Sequence, residues 1–190
     1  SKDYAGNGKA ITKTAYVYTP YGYNEKGSER YDILYLMHGW GGHAGEYFEM
    51  AEIKNVFDNM ISKGQIKPLI VVSATFYNAN SGSDFGSSVA ELRSFHNDFE
   101  KNLMPAVEGK YRTYAVSTSD ADLKASRSHR AFGGFSLGSV TTWLEFCHDS
   151  DYISSFIPMS GSSWYYGGFG DFQIKKNVDF IEQLVIQNKL

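Results

Sequence analysis

The 190-residue sequence contains a single cysteine and no strong excess of either charge. Cys147 alone cannot form an internal disulfide or a cysteine-based metal site. The chain has 18 basic and 21 acidic residues, a formal net charge of −3 at pH 7, and no basic run. Composition therefore gives no case for binding nucleic acid or an anionic membrane. No apolar stretch approaches the length of a membrane-spanning helix.

The chain also lacks an initiating methionine and an apolar targeting segment, because it starts Ser1-Lys2-Asp3. We interpret it as a mature or excised piece, and composition leaves its compartment open. A hydrophobic content of 42% over this length predicts one domain, residues 1–190, with a substantial core. The aromatic content of 16% is high, and flat rings at a surface suit sugar or phenolic ligands.

Apolar patterning predicts strands that alternate with helices, which is typical of an α/β fold. A mostly parallel sheet with helices on both faces follows, and its ligand site is expected at the carboxyl ends of the strands. The glycine- and serine-rich segment Asn78–Ser88 is predicted to be a loop at that edge. The predicted strands are Thr12–Thr19 at an edge, Tyr31–Met37, Leu69–Ala74 and Ile153–Met159, and the predicted helices are Tyr47–Ile61, Val89–Val107 and Val178–Val185.

The segment Gly134-Phe135-Ser136-Leu137-Gly138 joins a strand-like run to a helical run. Glycines two residues before and two after a serine allow the sharp turn that exposes a nucleophilic hydroxyl at the end of a strand. The pattern therefore predicts a nucleophile elbow with Ser136 as the catalytic residue. The alternative is an ordinary serine in a glycine-rich turn.

A second glycine motif, His38-Gly39-Trp40-Gly41-Gly42, follows the strand predicted at Tyr31–Met37. In serine hydrolases of this architecture, such a loop supplies one of two backbone N–H donors that stabilise the tetrahedral oxyanion. We expect the donors to be the N–H groups of Trp40 and Leu137. His38, Gly39 and Gly41 are then expected to border the substrate, although His38 itself is more simply a buried, hydrogen-bonded histidine.

These motifs together resemble the carbohydrate esterase family 1 branch of the α/β-hydrolases, which includes feruloyl esterases and acetyl xylan esterases. The likeness continues in four further segments, Phe95–Phe99, Lys110–Tyr114, Ser126–Arg130 and Met159–Tyr166. Ser139 departs from it, since the family usually has a second glycine there.

The resemblance implies an α/β-hydrolase fold, in which a mostly parallel sheet lies between two helical layers, and a serine carboxyl esterase without cofactor or metal. It implies Ser136 as nucleophile, Leu137 and Trp40 as oxyanion donors, and Trp164 and Tyr165 beside the acyl pocket. The implied substrate is feruloylated or acetylated xylan of the plant cell wall. The implied setting is a secreted bacterial enzyme with further modules.

No suitable general base follows Ser136 in the sequence. In this fold the triad order is Ser, then Asp or Glu, then His. His148 is the one histidine after Ser136, and it lies twelve positions along a predicted helix, more than about 10 Å away at 1.5 Å per residue. His43 lies on the oxyanion loop, but nothing would orient it. The remaining acids after Ser136 are interpreted as solvated charges at helix ends and in loops, namely Asp149, Asp151, Asp171 and Asp179.

We therefore expect the catalytic acid and histidine to belong to sequence past Leu190. The domain would then lack its last two strands and last helix, and the sheet would keep an uncovered apolar edge. The isolated chain is expected to be inactive or weakly active. Two alternatives stay open at this point. One is a carbohydrate-binding pseudoenzyme that uses the aromatic cluster Trp164–Tyr166, and the other is a thioesterase of the S-formylglutathione hydrolase type.

Overall fold

A five-stranded sheet forms the centre of the computed structural model, which describes residues 1–78 and 84–188. The strand order is β1-β3-β2-β4-β5. β1 pairs antiparallel with β3 at one edge, and the other four strands run parallel. The predicted, mostly parallel sheet is therefore confirmed. The strands are β1 Tyr16–Tyr18, β2 Asp32–Met37, β3 Leu69–Ala74, β4 Arg130–Phe135 and β5 Ser155–Met159.

Helices pack on both faces of this sheet, because successive residues of a strand point to opposite faces. Along β2, Ile33, Tyr35 and Met37 belong to the larger core cluster, whereas Leu36 belongs to the smaller one. Among the described residues, no helix is both long and apolar enough to cross a membrane. The helices are α1 Glu46–Glu49, α2 Ile53–Ser62, α3 Phe85–Asp98, α4 Met104–Glu108, α5 Asp120–Ala125, α6 Leu137–Asp149 and α7 Ile174–Asn188, and a π-helical turn Phe99–Leu103 joins α3 to α4.

Some element boundaries differ from those predicted. The edge strand is shorter than Thr12–Thr19, and α5 was not predicted because it has few apolar residues. The predicted helix Tyr47–Ile61 is interrupted, because Glu52 adopts a left-handed conformation with φ 45° between α1 and α2.

The helix predicted at Val89–Val107 begins earlier, at Phe85, because the side chain of Asp84 accepts a hydrogen bond from the N–H of Ser87 and caps it. The end of the predicted loop Asn78–Ser88 is thus helical, and its middle, 79–83, lies outside the described residues. Pro105 does not break the segment, because the π-helical turn places it in the first turn of α4, where no N–H is needed.

A buried ion pair between Arg130 and Glu108 holds the start of β4. The Arg130 side chain is almost wholly buried, and its Nε and Nη2 donate to the two carboxylate oxygens of Glu108 at 2.6 and 2.9 Å. The hydrogen bonds of the two side chains join β4 to α4, to the end of α5 and to the turn before β5. Such bonds offset the cost of burying the two charges. The remaining partners are Ser126 Oγ and the carbonyls of Leu123 and Tyr152 around Arg130, and the hydroxyls of Tyr35 and Thr113 around Glu108.

Two further buried carboxyls, on α6, have no cation beside them. Glu145 and Asp149 lie one turn apart on α6, both wholly buried, so the expectation that Asp149 is solvated was wrong. No described cation pairs with their four oxygens, and a hydrogen bond between the two carboxyls requires that one of them keep its proton. Burial raises the pKa of Glu145 to about 7. Burial, with the nearby charge of Glu145, raises the pKa of Asp149 well above its usual range, so the pair retains protons where isolated carboxyls would be ionised.

Apolar side chains at the β4–β5 end of the sheet are open to solvent. Phe135, Ile157 and Met159 are each more than a third exposed, although they belong to strands. Within the described residues, β5 pairs with β4 alone. No other described strand continues the sheet beyond β5, and these three side chains remain partly exposed beside it.

We predict that Glu145→Gln stabilises the chain increasingly as pH rises from about 4.5 to about 7. Glu145 binds its proton more tightly in the folded chain, with a pKa of about 7 against an ordinary value of 4.5. Across that window, the group contributes a fall in the free energy of unfolding of up to about 1.4 kcal/mol per pH unit. The glutamine side chain does not ionise, so the variant does not undergo this fall in the free energy of unfolding. Urea unfolding at a series of pH values measures the difference.

Glu182→Gln on exposed α7 is the matched control and should leave the pH dependence of the native chain unchanged. The same stability difference between Glu145→Gln and the native chain at pH 5 and pH 8 would contradict the prediction.

Candidate active site

Ser136 occupies a strained elbow between β4 and α6. Its φ of 57° and ψ of −116° lie outside the regions that serine normally adopts, at a cost on the order of 1–3 kcal/mol. A Cβ on Gly138 would overlap the carbonyl oxygen of Met37 and lie 2.7 Å from its carbon, and one on Gly134 would lie 2.5 Å from the oxygen of Gly138. Both glycines are therefore required for α6 to begin against the end of β2.

The oxyanion loop lies directly beside this elbow. A Cβ on Gly39 would be 3.3 Å from Cβ of Ser136, and Gly41 turns the chain with φ 75°. The N–H groups of Trp40 and Leu137 donate to no described acceptor, whereas the N–H of Gly41 donates to the hydroxyl of Tyr77 at 2.9 Å. The structure thus leaves two unpaired backbone donors on the two segments that flank the serine, as an oxyanion hole requires.

His38 supports this loop from beneath. It is 1% exposed, its Nδ1 lies 2.7 Å from the carbonyl oxygen of Gly39, and its Nε2 lies 2.7 Å from Oγ1 of Thr75. Burial lowers its pKa to about 4, so the ring is neutral near pH 7. Since a carbonyl can only accept, Nδ1 carries the proton and Nε2 accepts from Thr75. Its ring nitrogens are thus occupied by the protein itself.

The loop after β5 borders the elbow on its other side. The N–H of Ser136 donates to the carbonyl of Met159 at 3.0 Å, and a Cβ on Gly161 would lie 2.8 Å from the carbonyl oxygen of Ser136. The carbonyl of Gly161 accepts from Ser139 Oγ at 3.1 Å and from Trp143 Nε1 at 3.2 Å. Ser139, the departure from the family's glycine, therefore anchors this loop to α6.

The structure separates the two aromatic residues predicted beside the acyl pocket. Trp164 is 5% exposed and packs against Phe85, whose ring centroid is 6.3 Å away. Tyr165 turns toward α7, where it stacks on Phe180 at 4.2 Å, and its ring also lies beside His148. Only Trp164 thus packs toward the side chains near the oxyanion loop, while both positions remain predictions as substrate contacts.

All five histidines lie in the described ranges, and each has partners other than Ser136. His148 stacks on His96 at 3.9 Å between α6 and α3. His129 contacts Asp32 at 2.6 Å, at the start of β4 and so at the opposite end of the sheet. His43 accepts from the N–H of Gly45 and faces Glu49 at 3.6 Å. No described base hydrogen-bonds to the Ser136 hydroxyl.

Two supporting residues were not predicted from the sequence. Thr75 and Tyr77 follow β3, the neighbour of β2, and bind His38 and the N–H of Gly41. Their position after β3 could have indicated this role, because polar residues at the carboxyl end of the adjacent parallel strand reach the same edge of the sheet.

Comparison with known proteins places these features in a family. The model of the esterase family matches residues 12–164. Endo-1,4-beta-xylanase Y of Acetivibrio thermocellus is 41% identical over 155 residues, which are 81% of this chain and 13% of that protein. The endo-1,4-beta-xylanase/feruloyl esterase of Xylanibacter ruminicola is 36% identical over 139 residues, 70% of this chain and 17% of that protein. The chain therefore spans less than a fifth of these two relatives.

A solved structure agrees with this result. It is a serine-to-alanine mutant of the feruloyl esterase module from Clostridium thermocellum complexed with sinapinate. It matches with a TM-score of 0.77 and 34% identity, over all of this chain and 67% of that chain. The predicted α/β-hydrolase fold and the resemblance to feruloyl esterases are thereby confirmed.

We predict that Gly138→Ala lowers the free energy of unfolding by about 1–3 kcal/mol or more, because its methyl group must push α6 away from Met37. The backbone amide resonances of Trp40 and Leu137 should shift, and two-dimensional NMR with urea unfolding measures both effects.

Gly64→Ala is the control, because a Cβ on Gly64 would meet open space. Unlike Gly138, Gly64 has a positive φ, 66°, which adds a cost of its own. This variant should lower the free energy of unfolding by only about 1 kcal/mol and should not shift the amide resonances of Trp40 and Leu137. Equal losses in the two variants would show that close packing at the elbow is unimportant.

Proposed function

The chain belongs to the esterase family, and we propose that it is a serine carboxyl esterase acting on hydroxycinnamoyl or acetyl esters of plant cell-wall polysaccharide. One observation carries the proposal: Ser136 is held in a strained elbow between two unpaired backbone donors. The relatives support the substrate class, since the similar solved module is a feruloyl esterase and two similar proteins are named as xylanases.

The reaction follows from this geometry. Oγ of Ser136 attacks the ester carbonyl carbon, and its proton passes to a base. The carbonyl oxygen becomes an anion that accepts hydrogen bonds from the N–H groups of Trp40 and Leu137. Collapse of this intermediate breaks the bond to the sugar oxygen, which leaves with a proton, and an acyl-enzyme remains. Water then attacks the acyl-enzyme, releases the carboxylic acid and restores the serine hydroxyl.

The base is the part of this mechanism that the described residues do not supply. His38 is neutral, but both its nitrogens are engaged, and the other histidines have partners away from the serine. The described residues therefore offer a candidate nucleophile and two candidate oxyanion donors, but no histidine that pairs with Ser136. A serine without a base keeps only the part of catalysis that the oxyanion hole provides.

The setting that we propose is extracellular. Feruloylated or acetylated xylan is a polymer outside the cell, so an esterase that acts on it has to be secreted. The chain carries an acidic net charge of −3, which offers no attraction for nucleic acid or an anionic membrane. Further modules are expected beside it, since the similar xylanases are several times longer than the matched segment.

We predict that the 190-residue chain hydrolyses methyl ferulate at least about a hundredfold more slowly than a version extended at its C-terminus with a segment that carries the acid and the histidine. Release of ferulate, followed by absorbance, measures both rates. Equal rates would overturn the claim that the base is missing.

Ser136→Ala in the extended version is the matched control and should abolish both hydrolysis and labelling by a fluorophosphonate. Retained binding of xylan with no labelling of Ser136 in either version would favour a carbohydrate-binding pseudoenzyme. Activity on thioesters but not on methyl ferulate would favour a thioesterase of the S-formylglutathione hydrolase type.

A further inference from the structure

One peptide unit carries both the acceptor of the His38 hydrogen bond and one of the proposed oxyanion donors. The carbonyl of Gly39 and the N–H of Trp40 belong to the same planar, trans peptide, in which the two groups point in opposite directions. Nδ1 of His38 lies 2.7 Å from that carbonyl oxygen and donates to it. Whatever fixes the direction of the Gly39 carbonyl therefore also fixes the direction of the Trp40 N–H.

This peptide needs support from outside the loop, because glycines lie on both sides of Trp40. A residue without a Cβ restricts the rotation of the adjoining peptide only weakly, and both Gly39 and Gly41 are of this kind. The N–H of Gly42 also donates to the Gly39 carbonyl, at 3.2 Å, and closes the turn. That bond fixes the shape of the turn but not its orientation. The bond from His38 connects the turn to a side chain that is anchored elsewhere.

The segment that follows β3 provides this anchor. The parallel pairing of β2 with β3 places His38 beside Thr75, since each is the first residue after its strand. The His38 ring also packs against the rings of Phe76 and Tyr77, whose centroids are 4.7 and 5.1 Å away. The side chain is 1% exposed, so it cannot turn without displacing these neighbours.

Thr75 determines which nitrogen of this ring carries the proton. Its hydroxyl oxygen accepts from the backbone N–H of Tyr77 at 3.1 Å and lies 2.7 Å from Nε2 of His38. Burial lowers the pKa of His38 to about 4, so the ring holds one proton near pH 7. A hydroxyl that donates to Nε2 leaves this proton on Nδ1, where it meets the Gly39 carbonyl. With the proton on Nε2 instead, a lone pair of Nδ1 would face the carbonyl oxygen and repel it.

We propose that Thr75 is a positioning residue that acts through His38 and turns the peptide between Gly39 and Trp40 so that the Trp40 N–H faces the developing oxyanion. The inference rests on the proposed esterase function and adds a residue to its mechanism. A peptide turned the other way would present the Gly39 carbonyl oxygen to the oxyanion, and the two negative groups would repel each other. Thr75 thus affects the reaction without contacting the reacting atoms.

The tautomer of His38 in the 190-residue chain tests this inference without a catalytic base. Long-range proton–nitrogen NMR spectra distinguish a protonated Nδ1 from a protonated Nε2, and the native chain should show the proton on Nδ1. Thr75→Val replaces the hydroxyl by a methyl group of similar size. This variant should move at least part of the population to protonated Nε2 and should shift the amide resonance of Trp40. Thr75→Ser keeps the hydroxyl and should retain both native signals.

The rate of methyl ferulate hydrolysis by the version extended at its C-terminus tests the catalytic consequence. Thr75→Val should lower kcat about tenfold with little change in KM, because the lost interaction is made in the transition state. Thr75→Ser should restore most of kcat. Thr113→Val is the matched control, because the hydroxyl of Thr113 is also buried and donates to Glu108 at 3.0 Å, near the start of β2. It should lower stability but leave kcat and the His38 tautomer unchanged.

A proton that stays on Nδ1 and an unshifted Trp40 amide in Thr75→Val would overturn the inference, and so would equal losses of kcat in Thr75→Val and Thr113→Val. Fluorophosphonate labelling of Ser136 in the extended version tests the proposed function separately. Labelling together with an unchanged tautomer would remove the role of Thr75 and leave the esterase. Absence of labelling together with a changed tautomer would remove the esterase, and the Thr75 hydroxyl would then only support the loop.

Discussion

The close approach of Gly138 to the carbonyl of Met37 is the constraint on which the site depends. β2 and β4 are neighbours in the sheet, with Met37 opposite Gly134, so the oxyanion loop and the elbow leave the sheet side by side. α6 can begin at this point only because Gly138 has no Cβ. A larger residue would push the start of α6 away from Met37 and so displace the N–H of Leu137, one of the two donors in the proposed mechanism.

The two ends of β4 are fixed by different kinds of interaction. At its start, Arg130 and Glu108 are buried as a fully hydrogen-bonded pair, so the charges compensate each other. At its end, backbone contacts with Met159 and Met37 hold the strained serine without any charge. The Glu145 and Asp149 carboxyls, on the helix that follows, lack a cation and are buried by retaining protons. A buried carboxyl is thus compensated either by a cation, as in Glu108, or by a retained proton, as in Glu145. Only the retained proton makes the free energy of unfolding depend on pH near neutrality.

The sequence predicted those features whose signal is local. Apolar runs located β2 and β3 nearly to the residue, and glycine spacing located the elbow at the end of β4, because both depend on a few neighbouring residues. It did not predict the break at Glu52 or the π-helical turn before Pro105, since packing against the sheet overrides local propensity there. The packing of Trp40 and Trp164 around Phe85 could not be predicted either, because these residues lie up to 124 positions apart in the chain.

The oxyanion hole and the catalytic base are physically separable parts of such an enzyme. In the proposed mechanism the first is made of backbone N–H groups. The residues beside Ser136 are Gly39, Met159 and Gly161, and Met37 lies against the neighbouring Gly138. None of these contacts involves a histidine or an acid, so the strain of the elbow is stabilised by the sheet and by glycine packing alone. If Ser136 is the nucleophile, as we propose, its position is therefore set by these contacts and not by a base. A base would change the protonation of the serine and not its position.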